Sequence, residues 1–359
     1  MVGVRAATPA IARRAPSRSA AAISAAAVCS CLVTAGEGIG CAPYRATNVG
    51  AVGELDDILQ RLEPSLGPLA GEPSELGGGI TNRNFRVTLG SQDYVIRRPG
   101  KDTDLLAIDR EAERLATETA AGLGIAPEVA AALDDCLVTR FIACRQPRAR
   151  ELDERVEELA GALRSFHESA AELPVSFSVP DLLARYGGIV RERGGELPAA
   201  YVQAVALAAR IEAALAPVHP CPCHNDLLPG NIIFAAHGGR ILIVDWEYAG
   251  VGDPRFDLGN LSVNNDFDEA TDERLLSAYH GAAPSDGARA ALKLMRVMSD
   301  AREAAWGVVQ GEVSELDFDF EGYGGEHFDR LQATVEESPF DDWLACAQGE
   351  SRPHSGQSA

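Results

Sequence analysis

The feature that most constrains the fold of this chain is a pair of short polar motifs separated by two apolar runs. The first motif, residues 224–231, reads His-Asn-Asp-Leu-Leu-Pro-Gly-Asn, and the second, residues 244–247, reads Val-Asp-Trp-Glu. The apolar runs, residues 232–234 and 241–244, predict two short strands joined through a glycine turn. Because such a hairpin folds back on itself, we expect it to bring both motifs to one place.

Three oxygen-bearing side chains in these motifs suit phosphoryl transfer, whose transition state needs positioning and charge neutralisation more than covalent help. A carboxylate beside an acceptor hydroxyl can orient it and take its proton, and we assign this catalytic role to Asp226. Asn231 and Asp245 are the predicted metal ligands, because Mg²⁺ prefers oxygen ligands. His224 is predicted to be a structural support for residues 224–231, which we call the catalytic loop. This order of residues predicts a fold like that of the protein kinases.

A glycine-rich turn upstream predicts the second half of such a site. Residues 76–82 read Leu-Gly-Gly-Gly-Ile-Thr-Asn and precede two predicted strands, residues 84–90 and 93–98. Glycine lets backbone amides approach phosphate oxygens closely. We therefore expect this turn to bind ATP, through Gly78, Gly79, Thr81 and Asn82.

Arg97 lies on the second strand of this hairpin, at a position that resembles that of the phosphate-binding lysine of kinases. Period two places Val95 and Arg97 on one face of the strand, and arginine is a permanently charged, bidentate donor. Glu111, on a helix predicted over residues 104–122, can pair with Arg97 and fix its direction. The alternative is that Arg97 is a surface charge on an edge strand.

The distribution of these patterns predicts an α+β chain with two lobes. The small β-rich lobe covers residues 51–144, and the larger, mostly helical lobe, residues 145–347, contains the catalytic loop and the substrate pocket. The polar C-terminal segment, residues 348–359, is predicted to be a loose tail. Residues 1–50 are rich in Ala and Ser and basic at their start, which is typical of a targeting-like or poorly ordered extension. We prefer a disordered tail or a start-site artefact.

Charge and cysteine content restrict the partners. A net charge of −21 repels phosphate backbones and argues against a nucleic-acid partner.

The 8 cysteines are scattered, which predicts no disulfide framework and agrees with a reducing compartment. No stretch has the length and apolarity of a membrane span. We therefore expect a cytoplasmic protein with a small-molecule substrate, and the sequence leaves its oligomeric state open.

Taken together, the motifs resemble those of the choline/ethanolamine kinase family, within the aminoglycoside-phosphotransferase group of protein-kinase-like folds. The similar segments are residues 76–85, 94–97 (Tyr-Val-Ile-Arg), 108–111 (Ile-Asp-Arg-Glu), 224–231 and 244–250 (Val-Asp-Trp-Glu-Tyr-Ala-Gly). The resemblance implies that Asp226 is the catalytic base and that Asn231 and Asp245 are the metal ligands. It also implies that Arg97 and Glu111 form an ATP clamp and that Asp257 braces the catalytic loop.

The resemblance also implies an aromatic pocket for the acceptor. Aromatic faces and carboxylates hold quaternary ammonium groups. Trp306 and Tyr323 fall on the family's choline-binding positions, and Glu247 and Tyr248 follow the predicted metal ligand at residue 245. Glu303 stands where the family often has a second Trp.

The implied reaction is transfer of the γ-phosphate of ATP, with Mg²⁺, to the hydroxyl group of choline or ethanolamine, and choline fits best. One alternative is a kinase of the same fold acting on thiamine, an aminoglycoside or another amino alcohol. Trp246, Tyr248 and Trp306 favour an aromatic pocket over the acidic groove that aminoglycosides need, although each ring could instead belong to the core. A non-catalytic nucleotide-binding regulatory protein is the other alternative.

Overall fold

The computed structural model describes residues 51–77, 82–100, 103–148, 150–337 and 339–349. The predicted ATP-binding residues Gly78, Gly79 and Thr81, the extension of residues 1–50 and the tail from residue 350 lie outside the described residues. Within these ranges no helix is both long and apolar enough to cross a bilayer.

The N-terminal part contains an antiparallel sheet of five strands in the order β1-β2-β3-β5-β4. Its strands are β1 (Ser74–Leu76), β2 (Asn82–Leu89), β3 (Gln92–Pro99), β4 (Val129–Leu133) and β5 (Cys136–Arg140). Helix α1 (Ala51–Leu66) buries Leu55, Ile58 and Leu62, whose spacing marks one helix face, in a common core with Phe85 and Ile96 of the sheet. In the middle of the sheet, β3 pairs Arg97 with Asn84 and Leu137.

The helix predicted over residues 104–122 begins later than expected. Residues Thr103–Leu106 form a 3₁₀ turn, Ala107 has a φ of 64°, and helix α2 covers Arg110–Gly122. Asp109 is its N-cap, because its side chain accepts a hydrogen bond of 2.8 Å from the backbone amide of Ala112. A non-glycine residue with positive φ cannot continue a right-handed helix. The prediction of one uninterrupted helix was therefore wrong at its start.

The C-terminal part is mostly helical, as predicted. Its helices are α3 (Glu151–Glu154), α4 (Val156–His167), α5 (Val179–Glu192), α6 (Ala199–Ala214), α7 (Pro254–Asn264), α8 (Glu269–His280), α9 (Asp286–Val313), α10 (Phe320–Glu337) and α11 (Phe340–Gly349). Helix α9 has 28 residues and packs against α5, α6, α7, α10 and α11. Because neighbours surround it, α9 is buried on most sides from Ala290 to Gln310.

Short strands between these helices hold the polar motifs. They are β6 (Cys144–Arg145), β7 (Cys221–Cys223), β8 (Ile232–Ala235), β9 (Ile241–Ile243) and β10 (Gly250–Gly252). The hairpin predicted between the motifs is present as β8 and β9, which pair Ile232 with Ile243. Just beyond it, the amide of Val244 donates a hydrogen bond of 2.9 Å to the carbonyl of Asn231. The last residue of the first motif and the first residue of the second motif are thus neighbours.

Candidate active site

The first motif is held in place by a buried carboxylate. Asp257, on α7, accepts hydrogen bonds from the backbone amides of His224 (2.8 Å) and Asn225 (2.7 Å). His167 Nε2 lies 2.9 Å from Asp257 Oδ2. Burial alone would raise the pKa of Asp257, but the hydrogen bonds and the nearby His167 lower it, so the carboxylate stays charged. This side chain fixes the backbone that carries Asp226.

His224 joins the two motifs as a neutral side chain. Its Nδ1 accepts a hydrogen bond of 3.1 Å from the amide of Asp226, and its Nε2 donates one of 3.1 Å to the carbonyl of Val244. This pairing requires the proton on Nε2. Burial lowers the pKa of His224 to about 4. The ring is therefore a linker between the catalytic loop and the segment before Asp245.

Asp226 and Asn231, predicted as base and metal ligand, are in direct contact. Asn231 Nδ2 donates to the carbonyl of Asp226 (2.8 Å) and to its Oδ2 (3.0 Å). Asn231 Oδ1 is buried and has no hydrogen-bond partner among the described residues. Burial raises the pKa of Asp226 well above its ordinary value, a shift that Arg302 opposes and the neighbouring carboxylates reinforce.

Arg97 connects the sheet to the second motif. Its Nη2 donates to Asp245 Oδ1 and lies 3.3 Å from Glu247 Oε2, while its Nε lies 3.3 Å from Glu113 Oε1. Burial would lower the pKa of Arg97, but these three carboxylates outweigh it and raise the pKa. Asp245 itself has a φ of 67°, and non-glycine residues held in this region are frequent at functional sites. The Arg97 side chain is therefore an inward-facing cation, not a surface charge.

The predicted pairing of Arg97 with Glu111 is wrong. Glu111 is exposed and accepts hydrogen bonds of 2.9 and 2.6 Å from Arg114. Glu113, two residues further along α2, is buried and contacts both Arg97 and Arg110. Residues two apart on a helix point to nearly opposite sides, and the cap at Asp109 turns Glu113 inward.

Glu247 groups with the cations of the N-terminal part and not with the predicted acceptor pocket. It is 3% exposed, and its Oε2 accepts hydrogen bonds from Asn82 (2.8 Å) and Arg110 (3.5 Å). Asn82, predicted to bind ATP, also accepts a hydrogen bond of 3.3 Å from Arg110 through its Oδ1. The assignment of Glu247 to the acceptor is therefore corrected to a position beside Arg97.

The other predicted acceptor residues do lie together. Trp306 Nε1 donates a hydrogen bond of 2.9 Å to the hydroxyl of Tyr248, and the rings of Trp306 and Tyr323 lie 5.5 Å apart, edge to face. Tyr323 donates its hydroxyl to Glu303 Oε2 at 2.7 Å. Burial raises the pKa of both tyrosines, so both hydroxyl groups stay protonated. We call Tyr248, Glu303, Trp306 and Tyr323 the aromatic cluster.

Trp246 does not belong to this cluster. It is 1% exposed, and its ring centroid lies 4.5 Å from those of Phe166 and His224. Its Nε1 donates to the carbonyl of Ile243 at 3.1 Å. The prediction that Trp246 lines an acceptor pocket is wrong, because its indole completes the core beneath the catalytic loop.

Arg302, like Glu113, is a site residue that the sequence analysis missed. Its Nη1 donates to Asp226 Oδ1 at 3.0 Å and to Glu303 Oε1 at 2.6 Å, and its guanidinium carbon lies 4.3 Å from the centre of the Tyr248 ring. The side chain is 2% exposed. Arg302 precedes Trp306 by one helical turn, and this spacing places both on one face of α9. The spacing was the available signal.

Two lobes, a catalytic loop braced by Asp257 and an inward arginine on β3 define a phosphotransferase with a protein-kinase-like fold. The profile of the phosphotransferase enzyme family matches residues 72–295. A solved choline/ethanolamine kinase family protein from Mesorhizobium loti is 30% identical, with 82% of this chain and 99% of that chain covered and a TM-score of 0.67. The chain belongs to the choline/ethanolamine kinase family, whose members are phosphotransferases with alcohol acceptors.

Two further relatives have informative names. A solved LicA in complex with AMP is 24% identical and has a TM-score of 0.64, with 79% of this chain and 98% of that chain covered. Ethanolamine kinase 2 of Homo sapiens is 31% identical over 140 residues, which are 33% of this chain and 36% of the human protein.

Proposed function

We propose that the protein transfers the γ-phosphate of ATP to the hydroxyl group of a small amino alcohol, choline or ethanolamine. The observation that carries this proposal is the position of Asp226, which Asn231 and Arg302 hold through its two carboxylate oxygens. The relatives named for choline or ethanolamine phosphorylation support the acceptor class, and the relative that contains AMP supports an adenine nucleotide as donor.

Asp226 is the proposed general base. Its two oxygens are fixed by different donors, so the carboxylate has one orientation toward an acceptor hydroxyl. A base that holds the hydroxyl in this way positions the oxygen for attack and takes its proton as the bond to phosphorus forms. The raised pKa of Asp226 makes its carboxylate a stronger proton acceptor.

Asn231 and Asp245 are the proposed ligands of Mg²⁺. The buried Asn231 Oδ1 lacks a partner among the described residues, which fits a ligand atom, and amide and carboxylate oxygens are the donors that this cation prefers. When bound, Mg²⁺ neutralises charge on the phosphate oxygens. Arg97, with Glu113 fixing its direction, is proposed to bind phosphate oxygens as well.

The aromatic cluster and its charges are proposed to receive the acceptor. The carboxyl groups of Asp226 and Glu303 both contact the single guanidinium of Arg302, and two carboxyl groups beside one guanidinium suit a cationic acceptor. The three rings of Tyr248, Trp306 and Tyr323 supply apolar surface beside these groups, and the two tyrosines also supply hydroxyl groups.

We place the reaction in the cytoplasm, where ATP is supplied.

An acceptor panel tests the proposal. The purified full-length chain, ATP and Mg²⁺ are incubated with choline, ethanolamine, thiamine or kanamycin, and ADP and the phosphorylated acceptor are both measured. We expect acceptor-dependent ADP with choline or ethanolamine. Turnover confined to thiamine or kanamycin, or no acceptor-dependent turnover at all, would refute the proposed function.

A further inference from the structure

We infer that Arg302 forms one wall of the acceptor pocket and makes it select an alcohol with a primary ammonium group over one with a trimethylammonium group. The inference rests on the proposed function and narrows its acceptor to the ethanolamine type.

The first argument is that the Tyr248 ring already faces a cation. The guanidinium carbon of Arg302 lies 4.3 Å from the ring centre, and both side chains are buried. A trimethylammonium group has no N–H donors and depends on open aromatic faces for its binding. The ring of Trp306 is flanked by Phe320 at 5.8 Å and by Tyr323 at 5.5 Å. The cluster therefore offers a quaternary ammonium group less ring surface than its three aromatic residues suggest.

The second argument is that Arg302 is firmly held. It lies within the buried part of α9 and binds Asp226 and Glu303 through Nη1. Displacing it would leave two buried carboxylates without their cation, which is strongly unfavourable. Arg302 is therefore a permanent part of the pocket, and an incoming acceptor must fit around it.

The third argument comes from the hydrogen bonds that the cluster can offer. A primary ammonium group has three donors, and the carboxylate of Glu303 and the hydroxyls of Tyr248 and Tyr323 are oxygens within the cluster. Two carboxyl groups, of Asp226 and Glu303, lie beside the one guanidinium of Arg302, and a primary ammonium group can approach them closely because it has no methyl groups.

The fourth argument is that Arg302 has donors to spare. Its Nε and Nη2 are buried and have no partner among the described residues. A buried donor without a partner is uncommon in native structures, and a bound ligand would supply the missing acceptor. The hydroxyl oxygen of an acceptor oriented by Asp226 would lie beside the same guanidinium, where it can accept one of these bonds. Arg302 would then contact the acceptor at its reacting end as well as shaping the pocket.

A methyl series tests the inference. The kcat/KM of the wild type is measured for ethanolamine and for its N-methyl, N,N-dimethyl and N,N,N-trimethyl (choline) derivatives. We expect kcat/KM to fall along the series, by about tenfold or more from ethanolamine to choline. Arg302→Met removes the cation but keeps an apolar side chain, and it should shift the ethanolamine-to-choline ratio at least about tenfold toward choline. Its turnover should fall with both acceptors, because Asp226 loses a partner.

Arg296→Met is the matched control, since Arg296 lies on the same helix but binds Asp272, Ser262 and the carbonyl of Phe267. It should leave the ratio unchanged. If Arg302→Met fails to fold in a thermal melt, the wild-type series decides alone. A wild type that uses choline as well as or better than ethanolamine, or an unchanged ratio in folded Arg302→Met, would overturn the inference but not the proposed function. Absence of turnover with all four acceptors would overturn both.

Discussion

Asn231 Nδ2 lies 3.0 Å from Asp226 Oδ2, so the proposed metal ligand and the proposed base share a hydrogen bond. The amide is oriented by this bond, and its oxygen is left free of partners among the described residues. Because the two residues are five positions apart on one braced loop, a change in either should disturb the other. The site therefore works as one unit, from which the following outcomes are expected.

Glu113, and not Glu111, should control the binding of ATP. Glu113→Gln removes one of the three carboxylates that hold Arg97, so we expect the KM for ATP to rise about tenfold. Glu111→Gln is the matched control, because Glu111 pairs with Arg114 on the surface, and it should change the KM for ATP less than about twofold. Equal effects of the two substitutions would show that the buried ion pair does not orient Arg97.

The two tryptophans should separate into an acceptor residue and a core residue. Trp306→Leu removes a ring and the hydrogen bond to Tyr248, and the KM for the acceptor should rise about tenfold or more while the KM for ATP stays within about twofold. Trp246→Phe should instead lower the free energy of unfolding by about 2 kcal/mol, because it leaves a cavity and an unpaired carbonyl at Ile243. An unchanged acceptor KM in the Trp306 variant would assign that ring to the core as well.

Acid should destabilise the fold through His224. The folded pKa of His224 is about 4, below the ordinary value of about 6.5. The unfolded chain therefore takes up a proton first as the pH falls. The stability from this neutral side chain is fully present above pH ~6.5 and is lost as the pH falls toward pH ~4, by on the order of 3 kcal/mol.

Urea unfolding between pH 7.5 and pH 4.5 measures this dependence. His224→Gln, which keeps a donor and an acceptor, should flatten the fall relative to the wild type, whereas His219→Gln at an exposed position should not. Parallel curves for the wild type and the His224 variant would contradict a buried neutral imidazole.

The parts of the site that are close in sequence could be predicted, because hairpin geometry relates them. The apolar runs fixed β8 and β9, and these bring Asn231 and Asp245 to one end of the hairpin. The contact between Arg302 and Asp226 joins residues 76 positions apart. It depends on how α9 packs against the catalytic loop, whereas helical periodicity relates Arg302 only to Trp306 on the same helix.

The other errors have two causes, a shifted helix start and an irregular segment. The exchange of Glu113 for Glu111 follows from the cap at Asp109 and the positive φ of Ala107, which the helical pattern over residues 104–122 conceals. Residues 244–247 form neither a helix nor a strand. Strand alternation therefore does not predict which way the side chains of Trp246 and Glu247 point. Their surroundings are decided by tertiary packing against Phe166 and Arg97.

The most direct test of the account is the turnover of Asp226→Asn with Mg²⁺, ATP and ethanolamine or choline. The amide keeps the size of the side chain and an oxygen for Arg302, but it cannot take a proton from the acceptor. We expect kcat to fall by about 10²–10⁴, with the Kd for ATP within about threefold of the wild type and an unchanged fold. A variant that phosphorylates the acceptor at the wild-type rate would contradict the role of Asp226 and the mechanism built on it.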